Sequence, residues 1–297
     1  MSNPWIEAMR LRTLPVSVAG VIAGLACALF SGSCRLLPAI CCLLFAIGAQ
    51  IASNFANEYF DFRNGLDRKG REGFRRGVTE GDIKPQAMLR ATFLTLALAA
   101  IPGLALITWG GWWLIAIGIL VAIFALAYSA GPYPLSHHGL GDLAVVIFFG
   151  LVPVGFTAWL SAGTTAILPM ALTVGTGVGL LAANVLIVNN YRDADDDRAV
   201  GKHTTVVLFG RKFMGRVYLT AGIIGVLLTL VPAVMMCFDG HQLLLAPILA
   251  LPALFKAHHN LITQKGAALN AVLRQTALVL LWTSLLLLAE ALVIYFC

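Results

Sequence analysis

The chain has 297 residues, of which 59% are hydrophobic and only 11% charged, with a formal net charge of +6 and a mean hydropathy of +0.87. Soluble domains carry about a quarter charged residues, so this chain lacks the polar surface to cover a water-soluble globule. Crossing about 30 Å of hydrocarbon takes roughly 20 apolar residues per helix, and the expectation is an all-α, polytopic membrane protein.

In chain order, nine spans are predicted, at 14–31, 36–57, 88–109, 112–130, 142–161, 168–190, 214–236, 242–257 and 275–296, the eighth being the weakest. A β-barrel is excluded because its strands alternate apolar and polar residues, whereas Leu114 to Ala127 is continuously apolar. The first apolar segment follows Arg10 and Arg12 but lacks a clear small-residue cleavage site and leads into further spans, so no cleaved leader is expected. No linker or low-complexity segment interrupts the chain, which reads as one domain over 1–297.

The positive charge does not point to nucleic acid, because of where it lies. With nine spans, nineteen of the twenty Lys and Arg residues fall on one side and only Arg35 on the other, as the positive-inside rule expects. That places the N-terminus and the even-numbered connections in the cytoplasm, the C-terminus outside, and the chain in the cytoplasmic (inner) membrane. The six cysteines show no metal spacing. Cys34, Cys237 and Cys297 are expected near the outer face, as small apolar residues rather than a disulfide.

Two acidic constellations end the second and sixth spans. Asn54, Asn57 and Asp61 repeat the spacing of Asn190, Asp193 and Asp197, residues that stack on one helix face. The echo reads as two facing half-sites. Asn57 and Asp61 point at one ion, and Gly65 lets the chain leave the helix and bring Asp67 back. Hard oxygen ligands beside Arg and Lys point to Mg2+ and phosphate, since Mg2+ takes one or two carboxylates plus waters and phosphate oxygens. A diphosphate bridging both clusters would be held through the metal, with Arg192, Lys202 and Arg76 neutralising the remaining charge. Its departure would leave an allylic cation, and the apolar bundle would house the isoprenoid tail. The simpler reading, solvated charges balanced by nearby Arg, suits Asp195, Asp196, Glu72, Glu80 and Asp82. It does not suit Asp61, Asp67, Asp193 and Asp197, because ionisable groups at a span's end face a bundle interior or cavity.

These residues resemble the UbiA superfamily of intramembrane aromatic prenyltransferases. Asn57-x3-Asp61-x5-Asp67 is similar to its first Asp-rich motif, and Asp193-x3-Asp197 with Gly201-Lys202-x-Thr204 to its second. Finer features, Arg12-Thr-Leu-Pro15, Arg76-Gly77, Gly139-Leu-Gly-Asp142 and Phe148-Phe-Gly150, are similar to the branch that acts on 1,4-dihydroxy-2-naphthoate in menaquinone synthesis. The resemblance covers nearly the whole chain. It implies nine helices around a central cavity open to the cytoplasm. It also implies a Mg2+-dependent enzyme using a polyprenyl diphosphate and that acceptor, with membrane lipid and no nucleic acid as partner. Asn57, Asp61, Asp67, Asp193 and Asp197 are then the metal ligands and the four aspartates also catalytic. Asn54, Asn57, Asn190, Arg76, Arg192 and Lys202 bind substrate. Tyr128 matches a family tyrosine near the cation, though an amphipathic belt position would also explain it. Arg12, at the mouth of the first span, is a candidate for the acceptor carboxylate or one more positive-inside charge.

Glu58 departs from the family's usual Asp, and a metal or outer role could survive the change. His137 and His138 stand where relatives often carry Arg, Asn or Tyr, so they either shape the acceptor pocket or are polar interfacial residues. Other acceptors, 4-hydroxybenzoate, homogentisate, haem or a chlorin, keep the same fold. A secondary transporter is the competing class, but transporters favour sites near the bilayer midplane, and here the acids gather at one end.

Overall fold

A computed structural model describes residues 3–70, 73, 75–238 and 240–296, and every regular element among them is helical. In hydrocarbon the backbone has no water to bond, and a helix satisfies its own amides and carbonyls within one segment.

The chain opens with α1 (Pro4–Met9), then turns through Leu11–Thr13 into α2 (Pro15–Phe30), with a bend of 42° between the two segments. There follow α3 (Leu36–Arg63), the one-turn α4 (Gly77–Glu80), α5 (Pro85–Ala105), its continuation α6 (Ile107–Gly110) and α7 (Leu114–Ala127). The short α8 (Gly141–Val145), a π-helical turn over Val146–Leu151 and α9 (Val152–Ala162) form one segment. The chain then builds α10 (Leu168–Ala199), α11 (Thr205–Phe209), α12 (Arg211–Thr229), α13 (Val231–Phe238), α14 (Leu251–Thr263) and α15 (Leu269–Phe296).

Six segments are long and apolar enough to cross a membrane: Leu36–Arg63, Pro85–Gly110, Gly141–Ala162, Thr165–Ala199, Arg211–Phe238 and Gly266–Phe296. The bent pair Pro4–Thr13 and Pro15–Phe30 makes a seventh if it counts as one span. The chain is a multi-pass membrane protein. A helix stands in each of the nine predicted segments, but α7 and α14 have 14 and 13 residues, short of the roughly 20 of a full crossing.

Both α3 and α10 run past the apolar spans predicted to end at 57 and 190, reaching Arg63 and Ala199, so the acids expected on one helix face do lie on continuous helices. With 28 and 32 residues, they are longer than the hydrocarbon core of about 30 Å at 1.5 Å per residue.

The centre of the bundle is α10, with 72% of its apolar window buried against 17% for Pro85–Gly110. It packs on α2, α9, α12 and α15. A Cβ on Gly150, in the π-helical turn, would lie 2.5 Å from the Cα of Gly179 on α10, so small residues let these backbones approach. Outside them, α5 packs along α3 and turns Phe93, Leu94, Leu98 and Ile101 outward. A separate small core of Ala8, Phe55, Val78, Ile83 and Met88 ties α1, α4 and the start of α5 to α3.

Candidate active site

Two helix ends are built alike. After α3, Gly65 takes a left-handed backbone (φ 68°) and the amide of Leu66 returns to the carbonyl of Asp61 at 2.9 Å. After α10, Gly201 does the same (φ 74°), and the amide of Lys202 returns to the carbonyl of Asp197 at 2.8 Å. This is a glycine helix stop, four residues beyond an aspartate in each case. It folds the chain back over its own last turn, so Asp67 and Lys202 return toward the helix end they have just left.

Asp61 is the hub. It is 1% exposed. Its Oδ2 accepts from Lys202 Nζ at 3.1 Å and lies 3.5 Å from Arg76 Nη2, while its Oδ1 faces His137 Nε2 at 3.6 Å. The same guanidinium reaches Asp67, with Arg76 Nε 3.3 Å from Oδ2. Asn57 donates from Nδ2 to Ser129 Oγ at 2.8 Å and to Asp61 Oδ2 at 3.3 Å, and its Oδ1 accepts from Arg10 Nη2. On α10, Arg192 forks onto Asp193 at 2.7 and 2.8 Å and also donates to Asn270 Oδ1 at 2.7 Å and Asn189 Oδ1 at 2.8 Å. Every carboxylate named here has a cation beside it, which offsets the cost of burying charge.

Asn54, Asn57, Asp61, Arg76, Tyr128, Asn190, Arg192, Asp193, Asp197 and Lys202 line one polar cavity of about 180 Å³. Asp67 does not line it and meets it through Arg76. Arg12 is exposed on its turn and is not brought to the cavity. Arg10 is, from the end of α1, where it takes a left-handed backbone (φ 53°, ψ 51°). A second cavity of about 320 Å³ is almost wholly apolar, lined by residues such as Phe45, Leu96, Gly118, Phe148 and Leu160. Gln50, Ser53, Tyr128, Val145 and Phe149 line both cavities, so the two meet there.

Sequence reasoning missed Arg10, Asn189, Thr204 and Asn270. Asn189 was visible beside Asn190, and Thr204 within the second motif. Nothing near Asn270 announces that it meets Arg192, 78 residues away. The outer charges behave as solvated pairs: Asp195 with Arg211 and Arg198, Asp196 with Arg68, and Asp82 with Arg75. Glu72 and Cys297 lie outside the described residues. Of the two histidines, His137 faces Asp61, whereas His138 stacks on Tyr133 with ring centroids 3.6 Å apart.

Among the described residues, no three His, Cys, Asp or Glu groups stand together as a ready-made metal cage. The cavity instead offers scattered hard oxygens, and Asp61 Oδ1 is buried without a hydrogen bond. That is the donor set of a cation completed by its ligand's own oxygens. In this helical membrane bundle a chamber of carboxylates, guanidinium groups and an ammonium thus opens onto an apolar one.

The UbiA prenyltransferase family matches residues 17–285, and the chain belongs to that family. The 1,4-dihydroxy-2-naphthoate octaprenyltransferase of Escherichia coli (strain K12) is 38% identical over 215 residues, 70% of this chain and 69% of the relative. That of Mycobacterium leprae (strain TN) is 33% identical over 278 residues, 92% and 91% of the two chains. The fold matches a UbiA homolog from Archaeoglobus fulgidus bound to GPP and Mg2+, with a TM-score of 0.65 at 18% identity over 99% of this chain and 100% of that one.

Proposed function

We propose that the chain transfers an isoprenyl group from a polyprenyl diphosphate to 1,4-dihydroxy-2-naphthoate with loss of the ring carboxylate, giving demethylmenaquinol in menaquinone biosynthesis. The observation that carries this reading is the meeting of the polar and apolar cavities at Tyr128. A diphosphate in the first and its isoprenoid tail in the second place the allylic carbon at that tyrosine. The acceptor is the one in the names of the Escherichia coli and Mycobacterium leprae relatives.

Mg2+ fits the oxygen donors of the cavity, with Asn57, Asp61, Asp193 and Asp197 as its proposed holders and Asp67 outside them, paired with Arg76, and when bound it would take up the charge of the leaving diphosphate. Lys202, Arg76 and Arg192 hold the phosphate oxygens, and Asn54 and Asn190 complete the polar wall. The carbon–oxygen bond of the allylic diphosphate breaks, and its electron pair leaves on the diphosphate. The Tyr128 ring faces the resulting cation. The naphthoate ring, activated by two hydroxyls, attacks through its carboxyl-bearing carbon, and loss of carbon dioxide restores aromaticity. Arg10, with its guanidinium on the cavity wall, replaces Arg12 as the partner of the acceptor carboxylate.

The same reading takes the chain as one domain over 1–297 with nine crossings in the cytoplasmic membrane, its N-terminus and cavity mouth in the cytoplasm. The nineteen-to-one partition of basic residues supports it. The test is purified protein with carboxyl-labelled naphthoate, an isoprenyl diphosphate and magnesium. Labelled carbon dioxide should appear in step with prenylated product. A product that keeps its carboxylate, or a strong preference for 4-hydroxybenzoate, rejects the naphthoate assignment.

A further inference from the structure

Glu58 lies between two site residues on α3, yet it does not line the cavity. It is 0% exposed. An acid so placed in a membrane helix is costly and normally has a task. Its side chain leaves the Asn57 and Asp61 face and runs to α4, where Oε1 accepts from the Val78 amide at 3.0 Å. Its Oε2 is buried with no hydrogen-bond partner. The residue just before α4 is Arg76, 6% exposed, whose guanidinium stands between Asp61 and Asp67. The turn itself is closed by the Ile83 amide on the Gly77 carbonyl at 3.0 Å and by Gly81 in a left-handed backbone. Only Val78 and Ile83 of this turn enter the small apolar core on α3. That core is non-directional and fixes depth rather than rotation. The hydrogen bond to Glu58 is directional and pins the turn two residues from Arg76.

We propose that Glu58 is a positioning residue for Arg76: it tethers the α4 turn to α3 so that the guanidinium meets the diphosphate between Asp61 and Asp67. The inference rests on the diphosphate reading of the polar cavity. It accounts for a buried carboxylate beside the first acidic motif that does not line the cavity. An apolar side chain in its place leaves the buried Val78 amide without an acceptor, which costs stability as well as positioning, whereas an amide side chain keeps the acceptor.

The experiment compares wild type, Glu58→Met, Glu58→Gln, Arg76→Ala and the Glu58→Met/Arg76→Ala double variant in detergent. It measures thermal stability, KM and kcat with geranyl diphosphate, and binding of a non-cleavable diphosphate analogue. Glu58→Met should lower the unfolding temperature and raise KM and the analogue's Kd about tenfold, the scale of one directional hydrogen bond, with kcat changed far less. Glu58→Gln keeps an acceptor for the Val78 amide and should recover most of that loss. In the Arg76→Ala background Glu58→Met should add nothing further, because coupled residues are non-additive. Additive losses, failure of Gln to rescue, or a fall in stability without a change in KM would overturn the proposal. Failure of the wild type to bind the analogue would instead overturn the diphosphate reading, so the two failures are distinguishable. If Glu58→Met does not fold, Glu58→Ala takes its place against Gln under the same criteria.

Discussion

At the residue scale, burial separates the acids that matter from those that do not. Asp61 is 1% exposed and touches Lys202 and Arg76, whereas the side chain of Asp195 is 70% exposed and pairs with Arg211 and Arg198 in solvent. Asp61→Ala is expected to cut turnover by about a hundredfold or more, the scale of losing a preorganised electrostatic partner, while Asp195→Ala should stay within about twofold, since exposed pairs contribute little. Turnover with saturating magnesium checks both, and near-normal activity in Asp61→Ala rejects its place in the site. Asp193 needs different handling. Its partner Arg192 has a side chain only 1% exposed, and removing one member of a buried pair costs about 3–5 kcal/mol. Asp193→Ala should therefore lose stability as well as activity, whereas Asp193→Asn, which keeps an acceptor, should lose activity with a smaller fall in unfolding temperature.

At the scale of elements, the paired helix stops decide the site. The spacing of Asn54, Asn57 and Asp61 against Asn190, Asp193 and Asp197 is legible in the sequence, and so is the glycine after the first motif. What spacing could not give is the consequence of Gly201: Lys202 leaves one long helix and bonds a carboxylate on the other, 141 residues away. Gly201→Ala forces a side chain into the left-handed region at a cost of about 1–2 kcal/mol. It is expected to raise KM for the isoprenyl diphosphate severalfold. Gly32→Ala carries the same strain (φ 75°) in the α2–α3 connection, with open space around the new Cβ. It should cost similar stability and leave KM alone. Equal KM effects in both variants would mean that the Gly201 turn does not present Lys202 to the diphosphate.

For the whole molecule, the partition of charge makes a topology that labelling can read. Cys237 is exposed in the last turn of α13, and the proposed orientation puts it outside. A membrane-impermeant thiol reagent added to intact cells should label it. A cysteine placed at the exposed Arg198 should be labelled only after the membrane is opened. The reverse pattern inverts the protein. Labelling of both positions in intact cells removes the odd number of crossings between them.

Composition and local order were enough to determine that this chain is a membrane helix bundle, where its apolar segments lie, and which acids form two similar clusters. Those properties depend on neighbours a few residues apart: hydrocarbon selects helices, and a period of 3.6 residues places Asn57 above Asp61. Only the tertiary structure decided that Arg10 and not Arg12 enters the cavity, that Arg192 is held by Asn270, and that Glu58 turns from the acidic face toward α4. Each involves a contact across many residues of chain, and such a contact leaves no period in the sequence.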